Sequence, residues 1–293
     1  PEEEIDTVLG DAASGFKEAY DVSADGNWEG HNILNRSADL TLKGDAVEKM
    51  LAKSREKLLA IRDKRKWPMR DDKVLADWNG LMIEALVHAA QVFDKPAWLT
   101  VAKNAYRFVI KEMTDGNRLF HSWCDGRAQH PAIIEDYANM SASALALFEA
   151  TNEASYLEQA QAWVTSANLH HWDNLHHGYF MSAEDTKGLI ARPKPIHDNA
   201  TPPGNGTMVD VLARFYHFTV DPSYRDRAIM LLDALTPSET DKMIHQLSMM
   251  MGFEVLEHST QIVIAGSGKD ADSLCRAVID WAPPARLIIR LAD

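Results

Sequence analysis

Three short stretches of the chain concentrate carboxylates, amides and aromatic rings of the kinds that bind and protonate polyols. DDKVLADWNG (71–80) carries Asp71, Asp72, Asp77, Trp78 and Asn79; IEDY (134–137) carries Glu135, Asp136 and Tyr137; HDNATPPGN (197–205) carries His197, Asp198, Asn199 and Asn205. A sugar needs paired donors and acceptors for its hydroxyls and a flat apolar ring against its C–H face, and Trp28, Trp78, Trp123 and Tyr137 offer such rings. Proton transfer needs a group that titrates near neutrality or is moved there by burial. His121, close to Trp123, and His197 are the imidazole candidates, and Glu135–Asp136 the carboxyl pair. The expected catalytic residues are therefore His197, His121 and Asp136. Trp28, Asp72, Asp77, Trp78, Trp123, Glu135, Tyr137, Asp198, Asn199 and Asn205 are expected to surround the ligand. Acids before a helix also complement its dipole, by about 0.3–1 kcal/mol each, which accounts for any single one of them without a ligand.

Other chemistry is less well supported. LHHWDNLHHG (169–178) has histidine spacings of no standard zinc site and is expected to be a solvated loop. Cys124 and Cys275 are far apart and outside any CxxC, which speaks against a disulfide framework and fits a reducing, cytoplasmic setting. GSG at 266–268 lacks the full phosphate-loop pattern and is expected to be a tight turn. No metal or cofactor is called for. The 293 residues carry a formal charge of −13, which disfavours nucleic acid and anionic membranes as partners. No apolar run reaches the roughly 20 residues of a membrane span.

The elements that must position these residues show up as a repeat. NGLMIEALVHAAQVFDKPAWL from Asn79 aligns without a gap on NGTMVDVLARFYHFTVDPSYR from Asn205, with Met82 on Met208, Glu84 on Asp210 and Leu86 on Leu212. A third copy, YANMSASALALFEATNEASYL from Tyr137, keeps Met140 in register. Each copy predicts an apolar helix followed by a two-faced one, with Asn79 and Asn205 as expected N-caps and Pro96 and Pro222 near the second-helix starts. Buried inner helices alternating with amphipathic outer ones predict a mainly α fold, a partial (α/α)6 toroid with hairpins at about 79–113, 137–169 and 205–235. The long connectors contain short β-hairpins, and all lead to inner-helix starts on one face. Residues 44–66 read as an outer helix preceding the first copy. Residues 1–239 are assigned to the toroid, and 240–293 to a Met-rich helix with a small β-α-β segment. Glu84, His88, Asp210, Arg214 and His217 form a polar stripe best read as an ion-pair network between inner helices.

GNWEG (26–30), DDKVLADWNG, EDYA (135–138) and PPGNG (202–206) together resemble, in consistent order along nearly the whole chain, the YyaL and spermatogenesis-associated group of thioredoxin-domain-containing proteins. The resemblance implies a toroid similar to N-acylglucosamine 2-epimerases and six-hairpin glycosidases. It also implies that the family's thioredoxin-like domain and first hairpins are not part of this sequence, so the missing half of the ring or another subunit would be a partner. Where the family has PSGNS, this chain has Pro203 in place of the serine. The leading expectation is a carbohydrate-related protein of epimerase or isomerase type. Its rivals are a non-catalytic ligand-binding or scaffold module and a glycoside hydrolase.

Overall fold

The computed structural model describes residues 1–236, 243–283 and 285–291. Contacts divide the chain into two compact units, Pro1–Asp71 and Asp72–Asp293. The division falls in a charged, proline-bearing stretch, RDKRKWPMRDD (62–72), with no apolar run to bury. The boundary expected near residue 239 lies outside the described residues.

In the first unit, α1 (Glu2–Leu9), a 3-10 turn, α2 (Ala13–Ala19) and α3 (Asp45–Arg62) gather Ile5, Leu9, Phe16 and Leu51 into a small core. α3, read from sequence as an outer helix of the ring, belongs to this unit. GNWEG is a tight turn in the loop before it. A side chain at Gly26, which sits at φ 73, would meet the His31 carbonyl oxygen at 2.5 Å, so the glycine is required by geometry.

The second unit begins with the two-residue strand β1 (Val74–Leu75), which runs directly into α4 (Ala76–Val92) and then α5 (Pro96–Glu112). β2 (Thr114–Asp115), β3 (Arg118–Cys124) and β4 (Arg127–Pro131) form the expected hairpin connector, and α6 (Ile134–Thr151) and α7 (Ala154–His170) follow. A long irregular connector then leads to α8 (Gly204–Thr219) and α9 (Pro222–Leu235). α4, α6 and α8 pack side by side as an inner row, and α5, α7 and α9 each return along the outside of their own partner. The layering is that of an α/α toroid. Every residue of α6 from Asp136 to Leu147 is buried, as its apolar sequence requires.

The Met-rich stretch departs from expectation. α10 (Leu247–His258) lies along α8 and continues the inner row. Gly206 faces Ser248 and Gly252 faces Val209 and Asp210, so the two helices run in the same direction, as α4 and α6 do. β5 (Thr260–Ala265), α11 (Lys269–Trp281) and β6 (Arg286–Leu291) form the expected β-α-β, with β5 and β6 parallel. It covers the C-terminal ends of inner helices. Arg276 donates to the Gln91 and Val92 carbonyls that end α4, and the Ile288 N–H donates to Glu149 of α6 at 2.9 Å.

Asn79 and Asn205 are not N-caps. α4 begins earlier, with Leu75 at its cap, and Asn79 lies in its first turns, donating to the Leu75 carbonyl at 2.8 Å. α8 is capped by Pro203. The glycine of each Asn-Gly pair carries the packing: a Cβ on Gly80 would lie 2.6 Å from the backbone carbonyl carbon of Asn139.

Candidate functional site

β3 pairs antiparallel with β1, Leu75 opposite Ser122 and Val74 opposite Trp123, and this register carries His121 to the first turn of α4. Asp136, in the first turn of α6, meets it there. His121 Nδ1 lies 3.0 Å from Asp136 Oδ2 and 3.1 Å from Oδ1. The same carboxylate accepts the Asp77 N–H at 2.9 Å and the Ile133 N–H at 2.8 Å. It thus caps its own helix and ties α4 to α6. Asp77 adds a second carboxyl, and ligand atoms of Asp77, His121 and Asp136 all lie within 4.8 Å of one another. A cation held there through Nδ1 would have to replace that nitrogen's bond to Asp136.

Burial decides which of these groups can meet a ligand. The Asp136 side chain is fully enclosed, whereas that of His121 is 27% exposed. With Nδ1 held by the carboxylate, Nε2 is the ring nitrogen left over. The hydrogen bond that His121 donates to Asp136 raises the histidine's pKa above its ordinary value, although partial burial opposes it. Asp136 is pushed up by burial and pulled down by the imidazole and the two backbone N–H groups. In this pair the direction that stands is the histidine's, upward, because a fully buried carboxylate lies 3.0 Å from its Nδ1. Asp77 is raised by burial and then by Asp136. Glu135, also raised by burial, accepts the Gly204 N–H at 3.2 Å through Oε1, and its Oε2 is buried without a partner among the described residues.

The structure therefore brings together Asp77, His121 and Asp136, with Glu135 adjacent in sequence. Trp78 is 61% exposed and follows Asp77, while Asp72 is exposed upstream of β1. Trp123 packs edge-to-face on Phe108 of α5, away from a ligand role. Tyr137 and Asn205 are sealed. The Tyr137 hydroxyl accepts the Leu119 N–H, and Asn205 spends its amide on the Tyr179 N–H and the Tyr179 and Pro195 carbonyls, pinning the 171–203 connector to α8. Asp198 accepts the Ser248 N–H at the start of α10. His197 is exposed and faces His245 edge-to-face, and Asn199 beside it is exposed too. Trp28 lies in the first unit.

LHHWDNLHHG is solvated only in part: Leu169, Asn174, Leu175 and His176 are exposed. His171 is completely buried, with burial holding its pKa down to about 4, and Trp172 stacks on His177. Lys194 clamps Asp173 at 2.6 Å. His171 and His177 pack the connector.

No family model matches the chain. Spermatogenesis-associated protein 20 of Homo sapiens is 30% identical over 309 residues, which cover 95% of this chain and 38% of that protein. The resemblance to the spermatogenesis-associated group holds along nearly the whole chain. The chain spans little more than a third of such relatives. Among solved structures, an inactive variant of an α-1,6-mannanase of Salegentibacter, in complex with α-1,6-mannotriose, is 13% identical. It superposes with a TM-score of 0.50 over 86% of this chain and 80% of that one. The cellobiose 2-epimerase of Bacillus thermoamylovorans gives 0.47 at 15% identity, over 57% and 45%. At 13% identity the likeness to the mannanase is one of fold. No described helix is long and apolar enough to cross a membrane.

Proposed function

We propose that the Asp77–His121–Asp136 cluster is an acid–base centre acting on a carbohydrate, most closely of epimerase or isomerase type, in a cytoplasmic setting. One observation carries the reading: a partly open imidazole held through Nδ1 at 3.0 Å by a fully buried carboxylate, which leaves Nε2 for substrate. Asp136 fixes tautomer and orientation. His121 Nε2 takes a proton from a carbon beside a carbonyl or returns one, and Asp77, its pKa raised, serves the opposite transfer or orients a hydroxyl. Trp78 supplies the exposed ring for stacking. A two-carboxylate glycosidase is less well supported, because both oxygens of Asp136 are already engaged and out of reach of a sugar.

The test is deuterium wash-in from D2O into N-acylhexosamines and free hexoses, followed by proton NMR. Exchange at one ring-carbon position is expected with the parent protein, falling at least about a hundredfold in His121→Ala and Asp77→Asn. Exchange that persists in both variants would remove these residues as acid and base. The sealing of Tyr137 and Asn205 favours a second reading, a non-catalytic ligand-binding module. Saturable sugar binding that depends on Trp78, without exchange, would establish that one instead.

A further inference from the structure

Among the described residues, α10 is an inner helix that no outer helix follows. α4, α6 and α8 are each followed by an antiparallel outer helix, whereas α10 ends at His258 and the chain turns straight into β5 at Thr260. Along the flank where α10 meets α9 lies a cavity of about 620 Å³. Ile229 and Leu232 of α9 face Met249, Met250, Phe253 and Leu256 of α10 across it. On each helix these residues recur at three- and four-residue spacing, so two apolar stripes form the walls of a groove about 12 Å long, two helical turns. Met250 and Phe253 are 43% and 45% exposed. Asp233, Glu254 and Glu257 line it as well, with Arg225 paired to Glu257 at 2.9 Å and His258 Nδ1 2.9 Å from Glu254.

We infer that this groove is a docking site for a basic amphipathic α-helix of a partner protein, seated along α9 and α10 where the repeat would otherwise place an outer helix. The walls have the spacing that receives a third helix. The thioether side chains of Met249 and Met250 adapt to varied apolar surfaces. Three carboxylates against one arginine and one histidine, in a chain of formal charge −13, select lysine or arginine beside the apolar stripe and repel an acidic helix. The inference is independent of the acid–base reading, since none of the proposed catalytic residues lines the groove.

The probe is a labelled Leu/Lys amphipathic peptide of about 16 residues, with a Leu/Glu peptide of the same pattern as control, titrated into the whole chain with methionine methyl groups observed by NMR. Saturable binding is expected to shift the Met243, Met249 and Met250 signals and to leave the remainder of the 12 methionines in place. Phe253→Glu, or Met250→Lys should the first variant not fold, is expected to weaken binding at least about tenfold. The double variant Glu254→Lys, Glu257→Lys should weaken it as well. Absence of binding, shifts spread over the other methionines, equal binding of the Leu/Glu peptide, or indifference to the Phe253 and Met250 changes would each overturn the proposal. Dimerisation of the free chain that Phe253→Glu abolishes would overturn it too, by naming a second copy as the occupant.

Discussion

The inner helices hold charge in two places and stabilise it by different means. At their N-terminal ends, Asp136 is ringed by backbone: two N–H groups and one imidazole accommodate a carboxylate with no cationic side chain of the Lys or Arg kind. Deeper in the row, Glu84 of α4, Glu149 of α6 and Asp210 of α8 share one guanidinium, that of Arg214, which lies 2.8 Å from Asp210 and 3.6 Å from Glu149. A helix start has spare N–H groups and a favourable dipole, whereas the middle of a helix has none, so an acid placed there needs a countercharge from a side chain. Where the countercharge is shared too thinly, an acid stays protonated. Burial and then Asp210 push Glu84 up to about 7, and burial and then Arg214 hold His88 down to about 4. The first cluster can offer a proton to something outside; the second is an internal balance.

The contrast breaks most severely at Arg214. Arg214→Met leaves three acids without their cation, and a loss of about 3–5 kcal/mol is expected in chemical denaturation. Asp136→Asn swaps an acceptor for a mixed group facing two backbone donors, and about 1–3 kcal/mol is expected from the same measurement. That variant should also lower the His121 pKa, read by NMR titration. Stability contributed by the raised His121 pKa is present below the unfolded value near 6.5 and disappears as pH rises through the folded value, and Asp136→Asn should remove this dependence. Glu84→Gln should have the smallest effect, visible only against pH. The folded chain keeps the Glu84 proton up to about 7 while the unfolded chain releases it near 4.3, so stability falls across that window. The glutamine variant should lose about 1–3 kcal/mol less than the parent between pH 5 and 8; equal slopes would mean that Glu84 ionises as it does in water.

What could be read in the letters follows from this physics. The hairpin repeat is legible because the apolar face of a helix is a local property of its sequence, with Met140 and Met208 fully buried, although Met82 in the same register is 60% exposed. The ion-pair stripe was legible too, since Glu84 and Asp210 occupy one register position. His121 and Asp136 were both named, but their partnership depends on β3 lying beside β1, a pairing set by a two-residue strand too short to announce itself. Asn205, expected beside the ligand, spends its amide on a connector whose path no local pattern records. Asn-Gly looked like a cap, yet its glycine serves a neighbouring helix, and α10 concealed its place in the inner row because its contact with α8 runs through Gly252.

Those glycines bend the row. Gly80 brings the α4 and α6 backbones together on the inner side, and Gly252 does the same for α8 and α10, while between the outer helices Tyr106, Tyr156 and Trp163 fill the gap with rings whose centroids lie 5.1 and 5.9 Å apart. Each hairpin is consequently a wedge, thin at the lumen and thick at the rim, and curvature accumulates from one wedge to the next as in the stones of an arch. The radius of the arc, and with it the size of anything the arc can enclose, is written in a size gradient of side chains rather than in any residue that touches a ligand.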